Sequence, residues 1–249
     1  ALRLLAREIL PVTGSLAFAA VLGKVTGGMV QAADEVRLLE ARIKVADGAS
    51  SNFANTFQRL ADVALANRVG LSETVELYSK LSPALQRLGG SSEAAIGVTD
   101  AFTKVLRVSG STAIQSSAAM LQFSQALGSG KLAGDEFRSI AENAPELLNV
   151  LADSAEKAGL GVNITRGELK QLAADGKLTS DILAKSLLVS MIALEEKARN
   201  IPVTISGAFT NLKTSASLVA AEADKALGFS QGVANAILAI ANSLLPMYR

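Results

Sequence analysis

The chain contains no cysteine and no histidine in 249 residues. Without cysteine there is no disulfide and no thiolate zinc site. Without histidine there is no imidazole base to activate a nucleophile and none of the common metal-binding helix motifs. Missing cysteine leaves the redox compartment open. Aromatic residues are scarce at 4%, whereas hydrophobic residues reach 49%, so the apolar weight lies in Ala, Leu, Val and Ile. Such side chains suit close helix–helix contact better than a large aromatic-centred core. The formal net charge is +1, and Lys and Arg never form a run of five. The electrostatic footprint of a nucleic-acid binder is missing, and no sequence-specific nucleic-acid binding is expected. No convincing signal peptide opens the chain. The start at Ala1 and the abrupt stop at Tyr248-Arg249 lead us to expect a fragment of a longer polypeptide.

What is present reads as all-α: short helices joined by Gly-rich turns into antiparallel hairpins, with longer apolar helices at both ends. Apolar residues recur at three and four positions through Val36, Leu39 and Ile43, then Phe53, Phe57 and Leu60, then Leu77, Leu81, Leu85 and Leu88. Glycines punctuate these runs at Gly48, Gly70, Gly89-Gly90, Gly110, Gly128, Gly159 to Gly161, Gly176 and Gly228, where a left-handed residue ends a helix. Ser72 precedes a run with early acids. Asn143 is a candidate N-cap with Pro145 in the first turn, and Thr165 with Glu168 has capping-box spacing. Around Pro202, Ile201 to Ile205 either extends briefly as a strand or simply separates two helices. Three regions differ in character: 1–33 is an apolar, Gly-interrupted helical segment, 34–200 a helical domain of ordinary charge, and 201–249 an apolar helical segment leading out of it.

The most informative stretch is Gln122 to Pro145, whose middle returns 46 residues later. Gly130-Lys131-Leu132-Ala133-Gly134-Asp135 is echoed by Gly176-Lys177-Leu178-Thr179-Ser180-Asp181. This is a helix–loop–helix joint written twice. Gly ends one helix, Leu plugs the joint, and small or hydroxyl residues with Asp open the next. Leu132, Phe137 and Ile140 are candidate core contacts of the joint, flanked by Arg138 and Ser139.

Chemistry does not emerge from these residues. Asp135 and Glu136, with Glu142 nearby, form the tightest acidic cluster. Adjacent carboxylates in a first helical turn point apart and complement the helix dipole, whereas a cleaving pair must face across a cleft. Ser139 has no base beside it. Lys131 and Lys177 follow Gly but precede Leu, unlike a phosphate-binding loop. Lys131 is expected beside a helix end, its stem covering apolar surface. Catalytic residues, metal ligands and cofactors are all expected to be none.

The ends carry a different signal. Between Ile9 and Ala33 the only charge is Lys24, and Ala19, Gly23 and Gly27 share one face suited to close backbone approach. They are the candidate self-association residues. Ala226 to Tyr248 carries no charge and as a straight helix would reach roughly 34 Å, near a bilayer's hydrocarbon thickness. Gln231, Asn235 and Asn242 fall on one stripe, and Pro246 would end such a helix. The segment is either packed against protein or inserted in a membrane at some stage.

QFSQALGSGKLAGDEFRSIAENAP, with ELKQLAADGKLTSDIL downstream and LEARIKVADG and LSETVELYSKLSPALQRLG upstream, resembles the tape-measure domain of long-tailed bacteriophages. The likeness runs from about Asp34 to Met191, and its specific part lies around Gly130 to Ser139. The resemblance implies a structural component of the tail lumen and tip that helps set tail length and takes part in DNA ejection. It also implies several copies about the tail axis. Further implied partners are tail tube proteins, tail-tip or baseplate hub proteins, tail assembly chaperones and, during ejection, the host inner membrane and phage DNA. The implied locations are the virion tail near its tip, the host cytoplasm during assembly and the host envelope on ejection. The alternative is a membrane-active module, pore-forming or toxin-like, motivated by the apolar ends.

Overall fold

A computed structural model describes residues 15–48, 52–87 and 89–227. Among them the chain is all-α, with twelve helices and no strand beyond one isolated bridge. In order these are α1 (Ser15–Asp47), α2 (Phe53–Asn67), α3 (Leu71–Arg87), α4 (Ser92–Val108), α5 (Ala113–Ser129), α6 (Gly134–Asn143), α7 (Glu146–Asp153), α8 (Ala155–Ala158), α9 (Arg166–Ala174), α10 (Ser180–Val189), α11 (Met191–Arg199) and α12 (Ile205–Leu227). The chain divides into two units. One comprises residues 1–36 and 217–249, the other residues 37–216. In the first unit Ala33, Val36, Ala220 and Ala221 are buried.

The second unit is organised around α4. An ordinary surface helix buries one stripe, but here Ala101 to Leu106 are buried without interruption, the mark of a segment enclosed on all sides. It packs against α2, α3, α7, α10 and α11. Phe102 of α4 stacks on Phe123 of α5, ring centroids 4.0 Å apart and planes 5° from parallel. Such a stacked pair adds to the Ala/Leu core a contact beyond the area it buries.

Helix boundaries follow local chemistry, with corrections to the sequence reading. The Thr165–Glu168 capping box forms as expected, and Thr112 with Gln115 forms a second one at the start of α5. Asn143 does not cap α7. It is the last residue of α6, and its amide donates back to the Ser139 carbonyl at 2.8 Å. The start of α7 is served instead by Ser109, whose hydroxyl accepts from the Glu146 N–H at 3.1 Å. Ser72 lies one residue inside α3, which begins at Leu71 and continues through Pro83. Gly128 lies within α5. Gly70 is not left-handed; Arg68 takes that conformation at the end of α2, with φ 59°. Pro202 separates α11 from α12 in place of a strand.

Candidate functional site

The two echoed joints meet each other. α5 ends at Ser129, and Gly130 adopts φ +89° as its left-handed cap. α9 ends at Ala174, Asp175 caps it in right-handed geometry, and Gly176 then turns the chain with φ +67°. After each glycine the chain extends for two or three residues, and the two extended pieces form an antiparallel bridge, Lys131 opposite Thr179. The Leu132 N–H donates to the Leu178 carbonyl at 2.8 Å, and the Ser180 N–H donates to the Gly130 carbonyl at 3.0 Å. The pairing is therefore offset from the echo by two positions, since Lys131 faces Thr179 and not Lys177. Leu132 and Leu178 are both fully buried. A buried extended backbone must find partners for its N–H and C=O groups, and each copy of the motif supplies them to the other.

Side chains extend the pairing. The Ser180 hydroxyl donates to the Leu127 carbonyl at 3.1 Å, filling one of the last-turn acceptors that a helix end leaves open. Thr179 caps α10, its hydroxyl accepting from the Ile182 N–H at 3.4 Å. Its counterpart Ala133 precedes α6 with no side-chain cap, so the first joint opens on small residues and the second on hydroxyls. Asp135 and Glu136 sit in the first turn of α6, where their charge favours the helix dipole, and Asp135 pairs with Arg138 at 2.9 Å in solvent. Asp181 pairs with Lys185 at 2.7 Å within α10. Lys131 is exposed, and its stem runs over Gly176, where an added Cβ would lie 3.3 Å from Lys131 Cδ. Lys177 approaches Asp175 at 3.5 Å. Gly134 takes φ +53°. Phe137 and Ile140 are buried, Ser139 is half-buried, and Pro145 precedes α7 directly. A groove of about 390 Å³ beside the joint is lined by Arg87, Ser129, Gly130, Thr179 and Asp181 among others.

Ala19, Gly23 and Gly27 all lie within α1. Among the described residues no helix is long and apolar enough to cross a membrane. The charge-free stretch Ala226 to Tyr248 lies almost wholly outside them.

Two polar clusters in the second unit join residues far apart in the sequence. Asp47, the last residue of α1, accepts hydrogen bonds from four hydroxyls: Thr56 of α2 at 3.3 Å, Tyr78 and Ser82 of α3, the latter at 3.0 Å, and Ser92 of α4 at 3.4 Å. A carboxylate at a helix C-terminus is electrostatically misplaced. Four donors offset that cost and tie α1 to three other helices. Burial pushes the Tyr78 phenol up to about 12, and its bond to the Asp47 carboxylate adds to the shift. In the second cluster Lys104, buried in α4, pairs with Asp100 and, at 3.1 Å, with Glu195 of α11. The hydrogen bond from Lys104 holds the Glu195 carboxyl below its usual range against the opposing effect of burial. Nearby, Lys197 of α11 meets Glu146 of α7 at 2.6 Å. These contacts link helices, and neither cluster opens an acid pair onto a cleft. Among the described residues no group of three or more acidic side chains could hold a metal ion.

Buried backbone pairing, glycine turns and inter-helix clamps describe a site made for shape. A family described as tape measure protein matches residues 27–225. The chain belongs to the tape measure protein family. The match spans α2 to α11, both joints and the Asp47 cluster. No curated protein and no solved structure matches the chain. Membership gives this tape measure protein a structural role in the bacteriophage tail, as a component of the virion.

Proposed function

We propose that residues 37–216 form a compact element of the phage tail lumen, close to the tail tip, and that the length-setting part of the polypeptide is its straight helix elsewhere. A tape measure sets length because a helix rises about 1.5 Å per residue. Drawn out as one helix, the whole chain would span roughly 370 Å. Paired joints hold α5 to α10 folded back on themselves, so this region does not measure by extension. That pairing, the hydrogen bonds of Leu132 to Leu178 and Ser180 to Gly130, is the observation that carries the reading. It makes the region a terminal block on the ruler.

In this reading several copies lie about the tail axis. They contact the tail tube and the tip or baseplate hub, and tail assembly chaperones hold them in the host cytoplasm before the tube closes. On ejection they leave ahead of the phage DNA and meet the host inner membrane through their apolar ends. The test is localisation in purified virions, by electron microscopy of tails labelled through residues 37–216. Density and label inside the tube at the tip support the reading. Label spread along the tube, or absent from the lumen, sinks it.

A further inference from the structure

The second unit is fastened differently at its two ends. α1 ends at Asp47 under four hydroxyl donors from three helices. At the other end an irregular connector, residues 200–204, leads into α12, whose first half rests on the last turn of α2. An amphipathic helix docks by burying its large apolar residues. Here they point away: Ile205 is 79% exposed, Phe209 66% and Leu212 64%. Within residues 205–216 the buried positions are Gly207 and Thr214 alone, with Asn211 half-buried on the same side.

What holds this half-helix is polar and incompletely satisfied. The Asn211 amide donates to the Leu65 carbonyl at 2.9 Å, and Arg107 of α4 donates to the next carbonyl, that of Ala66, at 3.1 Å. Arg68 donates to the Pro202 carbonyl at 3.2 Å. Among the described residues that is the one hydrogen bond tying Pro202, Val203 or Thr204 to a residue outside α12. Two polar atoms at this seat, Arg107 Nε and Asn211 Oδ1, are buried without a partner, an arrangement that costs stability. Burial and then the neighbouring Arg68 charge lower the Arg107 guanidinium pKa, against the pull of Glu195. Contact is closest at Gly207, where an added Cβ would lie 3.0 Å from Arg68 Cδ and 3.1 Å from Arg68 Cβ.

We infer that residues 202–216 form a strap that lifts from α2 while α2 to α11 stay folded. Lifting uncovers little apolar surface, because the large side chains already face water. It frees the Asn211 side-chain oxygen to bind water. The Leu65 carbonyl, an acceptor in a helix's last turn, is satisfied by water as helix ends commonly are. The break falls at the connector and no earlier. α11 is held by buried Leu194 and Ala198 and by the ion pairs of Glu195 with Lys104 and of Lys197 with Glu146. Closed and lifted states therefore lie close in free energy, and both are populated. The inference concerns the fold itself and stands wherever in the tail the block lies.

The test uses the full chain, which has no cysteine. Asp62→Cys and Lys213→Cys, both at exposed positions, carry one spin label on α2 and one on the strap. Their distance distribution, by pulsed electron paramagnetic resonance, should show a narrow main component and a broad, longer one on the order of 10%. Adding Gly207→Leu with Asn211→Ala should make the broad component dominant. Leu is a better helix former than Gly, so the helical circular dichroism should be unchanged. The cooperative melting temperature should fall by less than about 5 °C. Arg68→Gly removes the bond to Pro202 together with the cost of a left-handed side chain. It should open the strap with a smaller loss of melting temperature than the double variant. A single narrow distribution in the wild-type chain, or one that survives the double variant, overturns the strap. So does opening that comes only with loss of helical signal or of cooperative melting, since α12 would then be part of the folded block.

Discussion

Gly128 and Gly130 stand two positions apart and do opposite things. Gly128 is helical, with nothing within 4 Å of an added Cβ, whereas Gly130 requires φ +89°. Gly128→Ala should therefore stabilise the protein by about 0.5–1 kcal/mol. Gly130→Ala should destabilise it by about 1–2 kcal/mol. Urea unfolding of the two variants checks both signs. Both glycines were visible in the sequence as punctuation, but which one ends the helix is decided by backbone geometry that spacing does not encode. Tyr78 makes a second residue-scale case. Its phenol pKa is raised from 10 to about 12 in the folded chain, so the folded state holds the proton more tightly. The resulting stability is complete below pH 10 and is lost as pH rises from about 10 to 12. Wild-type melting temperature should fall faster across that window than that of Tyr78→Phe. At neutral pH the variant should itself be less stable by about 1.5–3 kcal/mol, the usual worth of a hydrogen bond to a charged group. Nothing in the linear sequence singles out Asp47, because its four partners lie 9 to 45 positions away.

Among the elements, the joint was legible as a repeat and illegible as a pair. The Gly-Lys-Leu echo predicts two similar turns, and burial of Leu132 and Leu178 agrees with their being plugs. That the turns would hydrogen-bond to each other depends on α6 to α9 returning the chain to its starting point, a tertiary outcome. Leu132→Ala and Leu178→Ala should each cost about 2–5 kcal/mol. Since both belong to one hydrogen-bonded bridge, the double variant should depart from additivity by about 0.5–3 kcal/mol in a thermodynamic cycle. Strict additivity would mean the joints are energetically separate. Caps divide in the same way. Thr165 with Glu168 is a local motif and was readable, whereas Ser109 serving the start of α7 comes from a different turn. Asn143 looked suitable for that task only because it stands just ahead of Pro145.

For the whole molecule, the all-α class and family membership were readable from periodicity and from the joint motif. The organisation around α4 was not, because the unbroken burial of Ala101 to Leu106, Lys104 included, comes from the helices packed around it and not from its own periodicity. A folded block and a straight ruler respond differently to added residues. Ten residues inserted at the exposed turn near Val162 and Asn163 should leave tail length unchanged. Ten residues inserted into a straight ruler helix of the same polypeptide should lengthen tails by about 15 Å. Electron micrographs of assembled tails measure both, and equal lengthening would mean that residues 37–216 measure by extension.

The clasp between residues 130–132 and 178–180 also has a mechanical meaning. Tension applied along the backbone reaches Leu132–Leu178 and Gly130–Ser180 before it loads the segment enclosed between them, so those two bonds act as a fuse in the load path. When they part, the enclosed residues pay out as slack of up to about 150 Å at the reach of an extended chain. In the ejection proposed above the chain would be drawn through a narrow bore under such a pull, and the clasp would shield residues 133–177 from it until those two bonds part.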